Sequence, residues 1–112
     1  MSSGYNEADI SAGARHVHRA LASLQEELEA VDYYNQRAEQ SDDDSLKAIL
    51  IHNRNEEVEH AVMLFEWIRR AMPVFDEVMK IYLFTNQPIT EIEGQLAGKS
   101  KNPGTLGIGS MK

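Results

Sequence analysis

Two long segments without proline carry apolar residues three and four positions apart, and this spacing constrains the fold more than any other feature. In residues 8–40 the series is Ile10, Ala14, Val17, Leu21, Leu24, Leu28 and Val31. In residues 43–72 it is Leu46, Leu50, Asn53, Glu57, His60, Leu64, Trp67 and Ala71. This period places each series on one face of an α-helix. The sequence therefore predicts two long amphipathic helices.

The residues around these segments predict where the helices begin and end. Ser41-Asp-Asp-Asp-Ser45 offers side chains that cap a helix N-terminus. Pro73 cannot continue the second helix, and two long helices with a short connection favour an antiparallel hairpin. Residues 74–84 predict a third, shorter helix, and residues 89–93 predict one further turn.

The fold class that we predict is all-α, in a chain of 112 residues that suits one small domain. Residues 1–7 are expected to be disordered and residues 8–93 to form the helical domain. The Gly-, Lys-, Ser-, Asn- and Pro-rich stretch 94–105 is typical of a flexible linker. Residues 106–112 return apolar side chains to the end of that linker.

Composition argues against several classes of function. A net charge of −7 disfavours nucleic acid as a partner, because that binding depends on Lys and Arg. The absence of cysteine removes disulfides, thiolate metal sites and thiol nucleophiles. No apolar run approaches the length of a membrane span, and the first residues do not resemble a signal peptide. We therefore expect a cytoplasmic protein without membrane partners.

A single hairpin would leave apolar surface uncovered. The second helix carries a further apolar series on another side, which consists of Ile51, Val58, Val62, Phe65 and Met72. Soluble monomers rarely expose large apolar patches. The sequence therefore predicts a homo-oligomer, in which pairs of hairpins form a four-helix bundle.

Polar residues interrupt the apolar series of both helices. Glu57-x-x-His60 places a carboxylate and an imidazole one turn apart, so that both reach one metal ion. On the first helix, Glu27 shares the face of Leu24, and Tyr34 lies seven residues further along the same stripe. Burial of such groups requires that they be paired, neutralised or bound to metal. These positions therefore predict a metal site facing inward.

Counting donors suggests that two chains complete this site. A di-iron centre in a ferritin-like bundle takes one Glu from each of two helices and a Glu-x-x-His from each of two others. One chain supplies half of this set, and a two-fold dimer supplies all of it. Carboxylate oxygens with one imidazole suit iron or manganese.

Other interpretations of the same residues remain open. A Glu-x-x-His pair on an arbitrary helix is a weak motif and usually a solvated pair. Polar residues within an apolar helix face also fix the alignment of helices in non-catalytic assembly modules. Zinc hydrolysis is disfavoured, because it needs an open site with an activated water. Glu26, Glu29 and Tyr33 form a second polar stripe, which is either a solvated face or an entrance that attracts metal.

Longer stretches of the chain resemble the encapsulated ferritins. The resemblance rests on residues 26–37 (EELEAVDYYNQR), residues 52–61 (HNRNEEVEHA) and residues 82–85 (YLFT). The tail Leu106-Gly-Ile-Gly-Ser-Met-Lys112 resembles the peptide that docks cargo inside encapsulin shells. The resemblance implies a ferritin-like ferroxidase that oxidises Fe(II) with O2 at a di-iron centre between two subunits.

The same resemblance implies roles for individual residues. Glu27, Glu57 and His60 match the iron ligands of the family, and Tyr34 matches a tyrosine near them. A second group, Glu26, Glu29 and Tyr33, matches the residues through which iron enters. The family forms a ring-shaped decamer of five dimers without a mineral cavity, so storage would fall to the encapsulin nanocompartment.

Overall fold

The computed structural model describes residues 11–99, and it describes side chains through residue 94. This range contains α1 (Ala12–Gln40), α2 (Asp44–Ala71), α3 (Pro73–Tyr82) and α4 (Ile89–Lys99), and no strand. The predicted all-α class is confirmed. The predicted disordered segment 1–7, the first residues of the predicted helix 8–40 and the tail 106–112 lie outside the described residues. Within 11–99, no helix is both long enough and apolar enough to cross a membrane.

Helix α1 begins at Ala12 because Ser11 caps it. The Ser11 backbone is extended, and its hydroxyl accepts a hydrogen bond from the Ala14 N–H at 3.2 Å. This bond satisfies one of the amides that a helix N-terminus leaves without a partner. Among the described residues α1 therefore begins at Ala12, and its predicted end at Gln40 is confirmed.

Helix α2 begins and ends within one residue of its predicted limits. The Asp43 carboxylate accepts a hydrogen bond from the Leu46 N–H at 2.8 Å, and the Ser41 hydroxyl accepts one from the Asp43 N–H at 3.3 Å. At the other end, α2 stops at Ala71 and Pro73 becomes the first residue of α3. Proline is tolerated there, because the first turn of a helix does not need its N–H.

Helices α1 and α2 pack together as an antiparallel hairpin. Late positions of α1 meet early positions of α2, since Asn35 contacts Arg54. Earlier positions of α1 meet later positions of α2, since Glu27 contacts His60. The predicted hairpin is therefore confirmed.

The core of this hairpin is narrow. Its buried residues are Ala20, Leu24 and Ala38 on α1 and Ala61 and Ile68 on α2. The apolar series predicted for α2 therefore lies beside the buried residues Ala61 and Ile68, and two of its members, Leu46 and Trp67, are exposed. The reason is that one partner helix covers only a narrow band of α2, here centred on Ala61 and Ile68.

The chain divides into two compact units between Ala71 and Met72, and α3 and α4 belong to the second unit. Helix α3 packs on α4, and Ile92 of α4 is 2% exposed. Because α4 continues to Lys99, the flexible linker predicted from residue 94 does not begin there. The glycines of this stretch each cost a helix about 1 kcal/mol, and helix-forming neighbours at 95–97 offset part of that cost.

The connection after α3 contains a residue in left-handed conformation. Helix α3 ends at Tyr82, where the Leu83 N–H donates to the Met79 carbonyl at 2.9 Å. Phe84 follows with φ 61°, so the predicted helix over 74–84 ends two residues early. A side chain with Cβ costs about 1–2 kcal/mol in this conformation.

Large apolar side chains remain exposed on the hairpin. They are Leu28 on α1 and Leu46, Ile49, Val58, Val62, Met63 and Trp67 on α2. An exposed apolar surface of this extent is typical of proteins that bind a partner. The surface agrees with the predicted self-association, and the oligomeric state itself stays a prediction.

Candidate metal centre

The structure brings Glu27, Glu57 and His60 together. One ligand atom from each of the three residues lies within 4.8 Å of the others, with Glu27 on α1 and the other two residues on α2. Glu57 and His60 are one helical turn apart, and hairpin register places Glu27 opposite them. The three residues predicted as a half-site from the sequence are therefore neighbours in space.

The atoms of this cluster are close enough to share a cation. His60 Nδ1 lies 3.1 Å from Glu57 Oε1 and 3.4 Å from Glu27 Oε1. Two carboxylate oxygens and one imidazole nitrogen are donors that suit iron or manganese. The arrangement therefore fits the metal class that the donor types predict.

The cluster lies at the open edge of the hairpin. The side chains of Glu27, Glu57 and His60 are 27%, 25% and 46% exposed. Among the described residues, no polar or charged residue is buried. The sequence predicts that these residues face inward at an interface of two chains, and that burial stays a prediction. Two helices cannot enclose three polar side chains, so one side of the cluster remains free for further ligands.

Mutual contacts change the proton affinities of the three groups. A hydrogen bond with the Glu57 carboxylate, reinforced by partial burial, raises the pKa of Glu27. Hydrogen bonds from Glu27 and then from His60 lower the pKa of Glu57. The hydrogen bond with Glu57 also raises the pKa of His60. Glu57 is thus the group of the three that most favours its charged carboxylate form, and a cation at the cluster would compete with protons for Glu27 and His60.

The two tyrosines predicted near the site have different surroundings. Tyr34 is half-buried, whereas Tyr33 is 57% exposed. The Arg37 guanidinium lies 5.8 Å from the Tyr34 ring centroid and 5.5 Å from the Tyr33 ring centroid. Sequence analysis missed Arg37, although it lies three and four residues after these tyrosines, the spacing of helix neighbours.

The predicted entrance residues do not belong to the cluster. Glu26 and Glu29 are exposed on α1, as is Tyr33. The group of potential metal ligands in the described part of the chain consists of Glu27, Glu57 and His60 without them. A role for Glu26, Glu29 and Tyr33 in metal entrance therefore stays a prediction.

A second cross-helix contact lies one turn before Glu57. Arg54 Nη1 donates to Asn35 Oδ1 on α1 at 3.0 Å. The same guanidinium donates to Asn55 Oδ1 through Nε at 3.2 Å and through Nη2 at 3.1 Å. Arg54 thus links α1 to α2 beside the cluster. No local sequence signal identifies the contact between Arg54 and Asn35, because it depends on how the two helices align.

Comparison with known proteins gives matches over most of the chain. The family model described as EncFtn-like matches residues 4–86. A "Ferritin-like protein" of Thermotoga maritima is 50% identical over 111 residues, which cover 96% of this chain and 97% of that relative. An "Encapsulated ferritin-like protein" of Rhodospirillum rubrum is 49% identical over 107 residues, which cover 85% of this chain and 76% of that relative.

A solved structure has the same fold. The crystal structure of protein ne0167 from Nitrosomonas europaea is similar to this chain with a TM-score of 0.76 and 56% sequence identity. The match covers 80% of this chain and 98% of that one. The helical arrangement is thus shared with an experimentally determined relative.

Proposed function

This chain belongs to the EncFtn-like family, and from that premise we propose that it is a ferroxidase, an Fe(II):oxygen oxidoreductase. Fe(II) is oxidised to Fe(III) with O2 at a di-iron site formed between two subunits, and the product feeds mineral storage inside an encapsulin nanocompartment. The observation that carries this proposal is the convergence of Glu27, Glu57 and His60 at one edge of the hairpin.

The exposure of that edge supports a site shared by two copies. One chain supplies two carboxylates and one imidazole, which is half of a ferritin-like di-iron ligand set. A second hairpin packed on the open side would add the same three residues through a two-fold axis. It would also cover exposed apolar side chains on the same face of α2 as Glu57 and His60, such as Leu46 and Trp67.

The residues present fit iron, which serves here as both bound ion and substrate. Glu27 and Glu57 offer hard oxygen donors, and His60 presents Nδ1 toward both. Two Fe(II) ions held together supply one electron each to O2. The chain's own part is to hold the ions close together, with the raised pKa values of Glu27 and His60 making metal binding compete with protons.

Residues around the cluster take supporting roles in this proposal. The exposed carboxylates of Glu26 and Glu29, with Tyr33 beside them, attract Fe(II) from solution toward the site. Tyr34 lies on the Glu27 face of α1, where Arg37 holds its ring. Tyr34 is thus the phenol closest along that stripe to the proposed oxidation site.

The proposed partners are copies of this chain and an encapsulin shell. Dimers assemble into a decameric ring, and residues 106–112 dock the ring inside the shell. The docking role is supported by the apolar pattern of those residues and by the printed name of the Rhodospirillum rubrum relative. The protein would then be located in the cytoplasm, inside the compartment.

Aerobic oxidation of Fe(II), followed by absorbance, tests this function. The wild type is expected to oxidise Fe(II) faster than buffer alone, and Glu57→Ala combined with His60→Ala is expected to abolish the excess rate. The matched control combines Glu59→Ala with His52→Ala, which removes a carboxylate and an imidazole from exposed positions outside the cluster. An unchanged rate in the Glu57/His60 variant would instead favour a non-catalytic metal-binding or assembly module.

A further inference from the structure

The exposed apolar side chains of α2 are distributed unevenly around the metal ligands. Val58 and Val62 lie about 160° from His60 around the helix axis, on the opposite side of α2. Four larger side chains lie within about 60° of His60 and are 42–61% exposed, namely Leu46, Ile49, Met63 and Trp67. The open side of the metal cluster on α2 is therefore flanked by apolar surface at both ends.

Helix α1 offers no comparable surface around Glu27. Among the described residues, its exposed large apolar or aromatic side chains are Leu28 and Tyr33. Leu28 lies about 100° and Tyr33 about 120° from Glu27 around the helix axis, in opposite directions. The apolar part of the side that carries the metal ligands therefore belongs to α2.

A two-fold axis can bring two such hairpins together over the cluster in two ways. An axis parallel to the helices places α2 of one copy against α1 of the other, whereas an axis perpendicular to them places α2 against α2 in antiparallel orientation. Both arrangements bring the two ligand sets to the same level. The second arrangement covers apolar side chains with apolar side chains, and it therefore removes more apolar surface from water.

We propose that two copies complete the metal centre by packing α2 on α2, so that Trp67 of one copy contacts Ile49 of the other. This inference rests on the proposed function, because the two-fold axis is placed through the midpoint of Glu57 and His60. Ile49 lies about 14 Å before that midpoint along α2, and Trp67 lies about 13 Å after it. The two residues of an antiparallel pair therefore oppose each other, and the contact occurs twice in the dimer.

The surface beside Trp67 has room for an aliphatic side chain. An open groove of about 590 Å³ runs along α2 there, and its lining consists of Glu59, Val62, Met63, Glu66, Trp67 and Arg70. Ile49 of the other copy would enter between the thioether of Met63 and the indole of Trp67, which are both apolar surfaces. Glu66 at the rim is already paired with Arg70 at 2.7 Å, so the entry of an apolar side chain leaves this carboxylate with its partner.

Cysteine cross-linking tests the arrangement directly, because the chain contains no cysteine of its own. Two full-length variants with different tags, Ile49→Cys and Trp67→Cys, are co-expressed and treated with a short bis-maleimide cross-linker in buffer that contains EDTA. We expect covalent dimers that carry both tags. Each variant alone should give little product, because residues 49 and 67 each lie about 27 Å along the helix from their own copy in the partner.

The competing arrangement predicts a different cross-link. Ser23 lies four residues before Glu27 on α1, close to the level of Trp67, because Glu27 is opposite His60 in the antiparallel hairpin. Packing of α2 on α1 would therefore favour a product between Ser23→Cys and Trp67→Cys. A yield from the Ile49/Trp67 pair no higher than from the Ser23/Trp67 pair, or than from either of its variants alone, would overturn the proposal.

A double-mutant cycle tests the contact without a cross-linker. We expect Trp67→Ala to raise the dissociation constant of the dimer at least about tenfold in metal-free buffer, measured by sedimentation. Ile49→Ala should add less in that background than in the wild type, since its contact is already lost. Val62→Ala is the control from the opposite side of α2 and should leave the constant unchanged. Independent effects of Ile49→Ala and Trp67→Ala would contradict the contact.

Both tests omit iron, so their outcomes are separable from the proposed oxidation. The Ile49/Trp67 cross-link in a protein that does not oxidise Fe(II) would refute the proposed function and keep the interface. Oxidation of Fe(II) by a protein that lacks this cross-link would refute the interface alone.

Discussion

Glu27 Oε1 and His60 Nδ1 lie 3.4 Å apart, although the two residues belong to different helices. This contact brings the Glu57–His60 pair of α2 within reach of a carboxylate on α1. Since each residue lies well inside its helix, the register of the hairpin builds the cluster, and no loop has to be positioned. A site on regular elements is held more precisely than a site on loops.

Metal binding at this cluster should be sensitive to pH. Because the hydrogen bond with Glu57 raises the pKa of His60 above its ordinary value of about 6.5, the metal-free protein keeps the imidazole protonated more strongly than a free histidine. That proton stabilises the metal-free fold at low pH, and the stabilisation is lost as the pH rises through the raised pKa. We therefore predict that Mn(II), used as a probe, binds more tightly as the pH rises, with release of protons.

Calorimetric titration in buffers of different ionisation enthalpy measures both effects. The variant His60→Ala serves as the control, because it lacks the imidazole proton and should release fewer protons on binding. Affinity that does not change with pH, without proton release in the wild type, would contradict the proposed ligand set.

Removal of the acidic entrance should weaken iron capture but not oxidation itself. We predict that Glu26→Gln with Glu29→Gln raises the Fe(II) concentration needed for half-maximal oxidation several-fold and leaves the maximal rate unchanged. The reason is that exposed carboxylates attract cations at long range, an effect that salt screens. The control is the double variant Glu56→Gln with Glu59→Gln on α2. If the oxidation rate depends on Fe(II) concentration in the same way in both double variants, a specific entrance is ruled out.

The Arg54–Asn35 contact should contribute measurably to the stability of the hairpin. We predict that Arg54→Leu lowers the free energy of unfolding by about 1 kcal/mol, because one charge-assisted hydrogen bond between α1 and α2 is lost. Denaturant unfolding of Arg54→Leu, Asn35→Ala and the double variant measures the coupling. If the changes in the free energy of unfolding of the two single variants add up to that of the double variant, the two side chains do not interact in solution.

The C-terminal residues should control localisation and leave catalysis unchanged. We predict that Leu106→Ser with Ile108→Ser abolishes co-purification with a co-expressed encapsulin shell, because two apolar anchors are lost. The rate of Fe(II) oxidation should stay at the wild-type level. Ser110→Ala is the control variant, and undiminished co-purification of the Leu106/Ile108 variant would remove the tail from the proposed interaction.

Much of the hairpin could be predicted from the sequence, because its determinants are local. The three- and four-residue spacing of apolar positions, Pro73 and the caps around Asp43 each act within a few residues of the chain. The same spacing predicts the grouping of Glu27 with Glu57 and His60, because all three residues interrupt the apolar series of their helices.

The features that could not be predicted depend on packing between elements. Ala61 and Ile68 are the residues of α2 that pack closely against α1. As a result Leu46 and Trp67, which the apolar spacing places on the predicted inner face, are exposed. The Arg54–Asn35 bond depends on the same register. The left-handed Phe84 has no local signal, because glycine is the residue that favours such a conformation.

Native mass spectrometry of the protein with Fe(II) under anaerobic conditions tests the central claim most directly, because one spectrum counts both chains and metal ions. The ligand arithmetic predicts iron on species with an even number of chains, at one ion per chain, with none on single chains. The Glu57→Ala/His60→Ala variant should carry no iron in any species. Iron bound to single chains as readily as to dimers, or retained by that variant, would contradict a site shared between two subunits.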